Sequence, residues 1–95
     1  MSDASLERPR FPLTLSDGER GHATGYADGV LYVVCERAHP PGQPLSLILV
    51  TPDGELALSG KSARSKRRED GTFDLQLKLV SLCRDQRIAL EALFS

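Results

Sequence analysis

The chain has no excess of either charge. Twelve basic and thirteen acidic side chains leave a net charge of −1. That balance lacks the broad positive field on which non-specific nucleic-acid binding depends, so no nucleic-acid partner is expected. No apolar run approaches the roughly 18 residues of a membrane-spanning helix, so no membrane contact is expected either. The opening MSDASLERPR is polar and holds no apolar core of a secretory signal. The expected compartment is therefore the cytoplasm. Cysteine is scarce, with Cys35 and Cys83 alone. In a cytoplasmic chain two cysteines read as free thiols and not as a disulfide. His22 and His39 stand far apart, and neither has a cysteine or second histidine at zinc spacing. No metal site is expected on that ground. A phosphate-cradling glycine loop is also missing. Gly18, Gly21, Gly25 and Gly29 neither follow a buried parallel strand nor open a helix. There are no internal repeats.

What remains is ordinary for a folded domain. At 95 residues, 40% hydrophobic and 26% charged, the chain is long enough for one domain and too apolar for disorder. A domain of this size buries only about 60–65% of the surface its unfolded chain exposes, so the core is modest.

The stretch that organises the rest is PLSLILVTPDGELALSG, Pro44–Gly60. Leu45, Leu47 and Leu49 recur at period two, and so do Leu56 and Leu58, with Glu55, Ala57 and Ser59 between and beside them. Such alternation fits half-buried strands and not a helix. Thr51-Pro52-Asp53-Gly54 joins them, proline presetting φ and glycine accepting angles that other residues resist. Before this hairpin, residues 1–9 read as a flexible polar arm. Phe11, Leu13 and Leu15 alternate in a short strand, which Pro12 assigns to an edge or an irregular position. Gly21–Tyr26 reads as the returning strand, and Asp28-Gly29 as a turn. Val30–Cys35 is apolar on both faces, which predicts a place near the middle of the sheet or cover on both sides. Ala38–Pro44, with three prolines and one glycine, is a loop.

After the hairpin, Lys61–Thr72 reads as a strand end and a charged hairpin tip. Phe73, Leu75, Leu77 and Leu79 then alternate with Asp74, Gln76 and Lys78 in another strand. From Leu82 the period changes. Leu82, Ala89, Leu90 and Leu93 share one helical face opposite Arg84, Arg87 and Glu91, with Ser81 as the expected N-cap. Ile88 falls on the polar side, where it suits an external contact. The sum is a mainly β fold: a small antiparallel barrel of about six strands over residues 10–95, stoppered by a C-terminal amphipathic helix over 82–94.

Candidates for chemistry are few. Nucleophilic catalysis needs a base within reach of the nucleophile, and Cys35 with His39 is the nearest pair. Four extended residues span more than about 10 Å, so these two meet only if the loop folds back. The expectation is a core thiol and a loop histidine. Asp53 and Glu55 flank an exposed turn that offers no difference of environment between them, and paired carboxylates need one for acid–base work. No catalytic residue is expected. The run Arg64-Ser65-Lys66-Arg67-Arg68 is the sharpest charge feature. It reads as a solvated tip offset by Glu69 and Asp70, or as a grip for a phosphate or acidic partner.

The order of features resembles PilZ domains, bacterial receptors or relatives of receptors for cyclic di-GMP. DGVLYVVCERAHPPGQPLSLILVTPDGELALSG is similar to the family's strand, Pro/Gly loop and "G-E-L-x-L-x-G" hairpin. DLQLKLVSLCRDQRIALEALF is similar to its last strand and capping helix. The family's ligand motifs are Arg-x-x-x-Arg on the N-terminal arm and Asp/Asn-x-Ser-x-x-Gly at a turn. Gly29 takes the glycine position, Tyr26 that of serine and Thr24 that of the acid or amide. Arg10 takes the second arginine, Leu6 stands in place of the first, and Arg8 lies two residues away. Arg64 and Arg68 share the arginine spacing in another part of the chain. The resemblance implies a regulatory domain of bacterial cyclic di-GMP signalling without a cofactor of its own. The eroded motif implies weakened nucleotide binding and a protein partner, with Arg64, Arg67, Arg68 and Ile88 as contact candidates. The alternative is a cyclic di-GMP receptor that binds through Arg8, Arg10 and the basic tip in an altered geometry, with Thr24, Tyr26 and Gly29 at the degenerate motif.

Overall fold

The alternating segments pair as their turns dictate. In the computed structural model, which describes residues 10–94, they are β1 (Phe11–Leu15), β2 (Arg20–Ala27), β3 (Val30–Cys35), β4 (Pro44–Thr51), β5 (Gly54–Arg67) and β6 (Phe73–Val80), followed by helix α1 (Arg84–Leu93). The expected arm 1–9 lies outside the described residues. All six pairings are antiparallel and close a barrel in the order β1-β2-β3-β6-β5-β4. The period-two leucines of β1, β4 and β6 point inward and meet Leu31, Val33 and Leu58 in one core. The β4–β5 hairpin pairs Thr51 with Gly54 across Pro52-Asp53, as its turn residues predict. Asp28 and Gly29 both have positive φ, 52° and 80°. That is the two-residue hairpin turn whose twist matches its strands.

Four expectations are corrected. Closure leaves no edge for Pro12. It pairs with His22 of β2, and the β4 ladder begins only at Leu13, so its missing amide interrupts no bond there. Of the two readings of Val30–Cys35, a place within the sheet holds, since β3 pairs with β2 and β6, but cover on both sides does not, since Tyr32 faces out and is 38% exposed. Lys61–Thr72 is mostly strand: β5 continues through Arg67, and the tip is only Arg68–Thr72. The helix starts at Arg84, two residues later than predicted, with Cys83 and not Ser81 at the cap. Ser81 instead takes a left-handed turn with φ 54°. The Cys83 amide donates to Gln86 Oε1 at 3.1 Å, and Gln86 Nε2 donates to the Ala57 carbonyl at 2.9 Å. One side chain thus caps the helix and ties it to β5.

The predicted apolar face of α1 does close the barrel. Leu90 is fully buried in the core, Leu82 and Leu93 pack against it, and Phe94 meets Phe11 edge-to-face at 5.3 Å. Ile88 is 53% exposed, as its position on the polar side predicts.

Candidate functional site

Two bulges shape the outer wall. One lies between Ala23 and Gly25 on β2, the other between Ser62 and Arg64 on β5. The second inverts which residues of β5 face outward, so Ser65 pairs with core-facing Leu75 while Arg64 and Lys66 face solvent. Register then aligns Gly25, Tyr32, Gln76 and Arg64 in one row across four strands. The next row sets His22, Val34, Asp74 and Lys66 side by side. The first row, with Asp74 and Lys66 of the second and with Thr24, lines a groove of about 530 Å³, within the size range of small-molecule sites.

The groove combines an aromatic ring with cations. Gly25 has no side chain to cover the Tyr32 ring, and even an added Cβ would come only to 3.6 Å of it. Thr24 Oγ1 donates to the Tyr32 carbonyl at 3.4 Å. Asp74 is already engaged by Arg68 at 2.7 Å. Arg64 and Lys66 have no ion-pair partner among the described residues. Arg10 and Arg68 both bear on His22, whose pKa is lowered first by burial and then by these two positive charges.

The expected ligand residues do not come together. Thr24 lines the groove. Tyr26 pairs with Leu31, faces the core, and lines a separate hollow near α1 with Gly29, Arg87 and Glu91. Arg10 is exposed just before β1 and is not among the residues that line the groove. Arg8 and Leu6 lie outside the described residues. Of the basic run, Arg64 and Lys66 are in the groove, Arg67 is exposed opposite Phe73, and Arg68 is held by Asp74. Tyr32, Gln76 and Asp74 were missed. The β3 and β6 alternation did mark their outward positions, but the bulge that brings Arg64 beside them leaves no pattern in the sequence.

A second cluster closes the barrel end opposite α1, and it overturns one expectation. Cys35 is a core thiol and His39 a loop histidine, as expected, and the loop folds back far enough to bury His39. Side chains of metal-ligating type do cluster: donor atoms of Glu19, Cys35 and His39 all lie within 4.8 Å of one another. Glu19 Oε2 accepts the amides of Glu36 and Arg37 at 2.8 and 2.9 Å, and Glu19 Oε1 meets His39 Nε2 at 2.9 Å. Ser62 extends the network by donating to the Pro40 carbonyl and accepting the Gln43 amide. The Cys35 thiol is pushed up to about 12, first by burial and then by the charge and hydrogen bond of Glu19. A catalytic thiol needs the opposite shift and an open approach, so Cys35 and His39 form no nucleophile–base pair.

No family model, curated protein or solved structure matches the chain. Among the described residues, no helix is long and apolar enough to cross a membrane.

Proposed function

We propose that the chain is a PilZ-like regulatory module whose outer groove binds a phosphate-bearing nucleotide, cyclic di-GMP being the first ligand to test. The observation that supports this most is the row Gly25, Tyr32, Gln76, Arg64 with Lys66 beside it. The uncovered tyrosine ring offers a stacking face to a base. Gln76 offers an amide to base edges. Arg64 is suited to two parallel bonds to a phosphate, which lysine would not reproduce. Thr24 lines the groove and Tyr26 does not, so the expected ligand residues are only partly used in this reading. The module works by binding and not by catalysis, in bacterial signalling within the cytoplasm.

Calorimetric titration with cyclic di-GMP tests this. The expected dissociation constant is tighter than about 10 μM, a binding free energy near −7 kcal/mol. Arg64→Ala should weaken it roughly tenfold to a hundredfold, the worth of one charge-assisted bond. No heat at roughly millimolar ligand would remove the nucleotide reading. The alternative is then a protein adaptor. It is favoured by the exposed Ile48, Val50, Val80 and Ile88, and by the turning of Tyr26 away from the groove.

A further inference from the structure

We propose that Glu19, Cys35 and His39 form a binding site for a divalent metal ion of the zinc class, at the barrel end remote from α1. The three residues come from the β1–β2 turn, the last position of β3 and the β3–β4 loop. Their donor atoms are a carboxylate oxygen, a thiol sulfur and an imidazole nitrogen, the set that zinc uses. Side-chain exposure is 1% at Glu19 and 4% at His39, and Cys35 is as deeply buried.

The surrounding bonds orient the donors as they do around bound metals. Metal-ligating histidines present one ring nitrogen to the ion and use the other to donate to an oxygen, which fixes the ring. His39 Nδ1 faces Gln43 Oε1 at 3.3 Å. With the proton on Nδ1, Nε2 turns a lone pair toward Glu19 Oε1 at 2.9 Å. Glu19 Oε2 is occupied by two backbone amides, so Oε1, which faces His39, is the oxygen placed to ligate. In that tautomer a metal ion can take the place that a shared proton otherwise holds between the two atoms, and Cys35 Sγ lies within 4.8 Å to supply a third donor. Ligand bonds of about 2.0–2.3 Å set tetrahedral donor separations of roughly 3.3–3.7 Å. The 2.9 Å contact must therefore widen by a few tenths of an ångström. His39 can supply that movement, since its loop belongs to no strand ladder.

Charge and protons balance. One thiolate and one carboxylate neutralise a divalent ion. Binding transfers the Cys35 thiol proton to solvent, along with any proton held between His39 and Glu19. Arg37 Nε lies 3.8 Å from Oε1, but its side chain is 65% exposed and can swing outward. Three protein donors leave a fourth position for a solvent molecule.

The test uses the full chain, stripped with a chelator and titrated with cobalt(II) and then zinc(II). Cobalt should produce a sulfur-to-metal charge-transfer band in the near ultraviolet that saturates at one equivalent and is bleached by one equivalent of zinc. The band should survive Cys83→Ser and disappear in Cys35→Ser. His39→Gln, checked for folding by circular dichroism, should weaken cobalt binding at least tenfold, and serves if Cys35→Ser does not fold. The absence of a band in the wild-type chain overturns the proposal, as does a band that depends on Cys83. Neither result bears on the outer groove, which shares none of these three residues.

Discussion

The two ends of the barrel are stopped by opposite chemistry. At one end α1 lays Leu90 and Leu93 over the opening, with Phe94 on Phe11. At the other, Glu19, His39, Gln43 and Ser62 close it with hydrogen bonds. The apolar stopper is non-directional and tolerates small shifts. The polar stopper is all or nothing: a buried charge with its partners in place is tolerated, but one that loses them is strongly destabilising. A small barrel therefore combines a forgiving closure with a geometrically exacting one.

The sharpest way to break that comparison is to remove one group from each end and compare urea midpoints. Glu19→Ala strips the partner from His39 Nε2 and leaves the Glu36 and Arg37 amides without their acceptor. It should cost about 3–5 kcal/mol, the range for breaking one side of a buried pair. Leu90→Ala removes buried methyl groups from a site that can partly collapse around the helix, and should cost about 3 kcal/mol. If Leu90→Ala proves the more damaging of the two, the polar network is incidental and the helix carries the closure.

The same contrast decides what was legible in the sequence. The apolar end is written in periodicity. Leu82, Ala89, Leu90 and Leu93 recur at helical steps, and the inward leucines of β4 and β6 at strand steps, so each could be placed from its neighbours. Even the misfit Ile88 was informative, because exposure is what its angle on the helix dictates. The polar end is assembled from Glu19, His39, Gln43 and Ser62, residues scattered over more than forty positions, and only loop folding brings them together. No local rule links a glutamate in one turn to a histidine twenty residues on. The groove lay between these cases. Its strand positions were legible, but the extra residue at the β5 bulge shifted Arg64 and Lys66 to the outer face, and a bulge at Ala63 has no glycine or proline to announce it. The cap at Cys83 was missed for a related reason. Serine is the better capping residue by chemistry, yet Gln86 reaches the Cys83 amide and fixes the start of the helix there.

The smallest effect concerns the wall between the polar end and the groove, where His22 lines a shallow hollow with Arg20, Val34 and Thr72. Burial is the first cause of its lowered pKa, and the charges of Arg10 and Arg68 come after it. Arg10→Ala should thus raise the His22 pKa only part of the way toward its ordinary value of 6.5. The change is readable from the imidazole signals in an NMR titration. The sign for stability follows from the same direction. A folded state that resists protonating His22 keeps this contribution whole above the ordinary imidazole range and loses it as pH falls below that range. Arg10→Ala should flatten that acid-side decline. A phosphate-bearing ligand drawn to Arg10 and the groove would act in the same direction by offsetting the positive field. If His22 stays unmoved by both the substitution and a bound nucleotide, Arg10 and the groove are electrostatically separate, and the N-terminal arginine has no part in ligand binding.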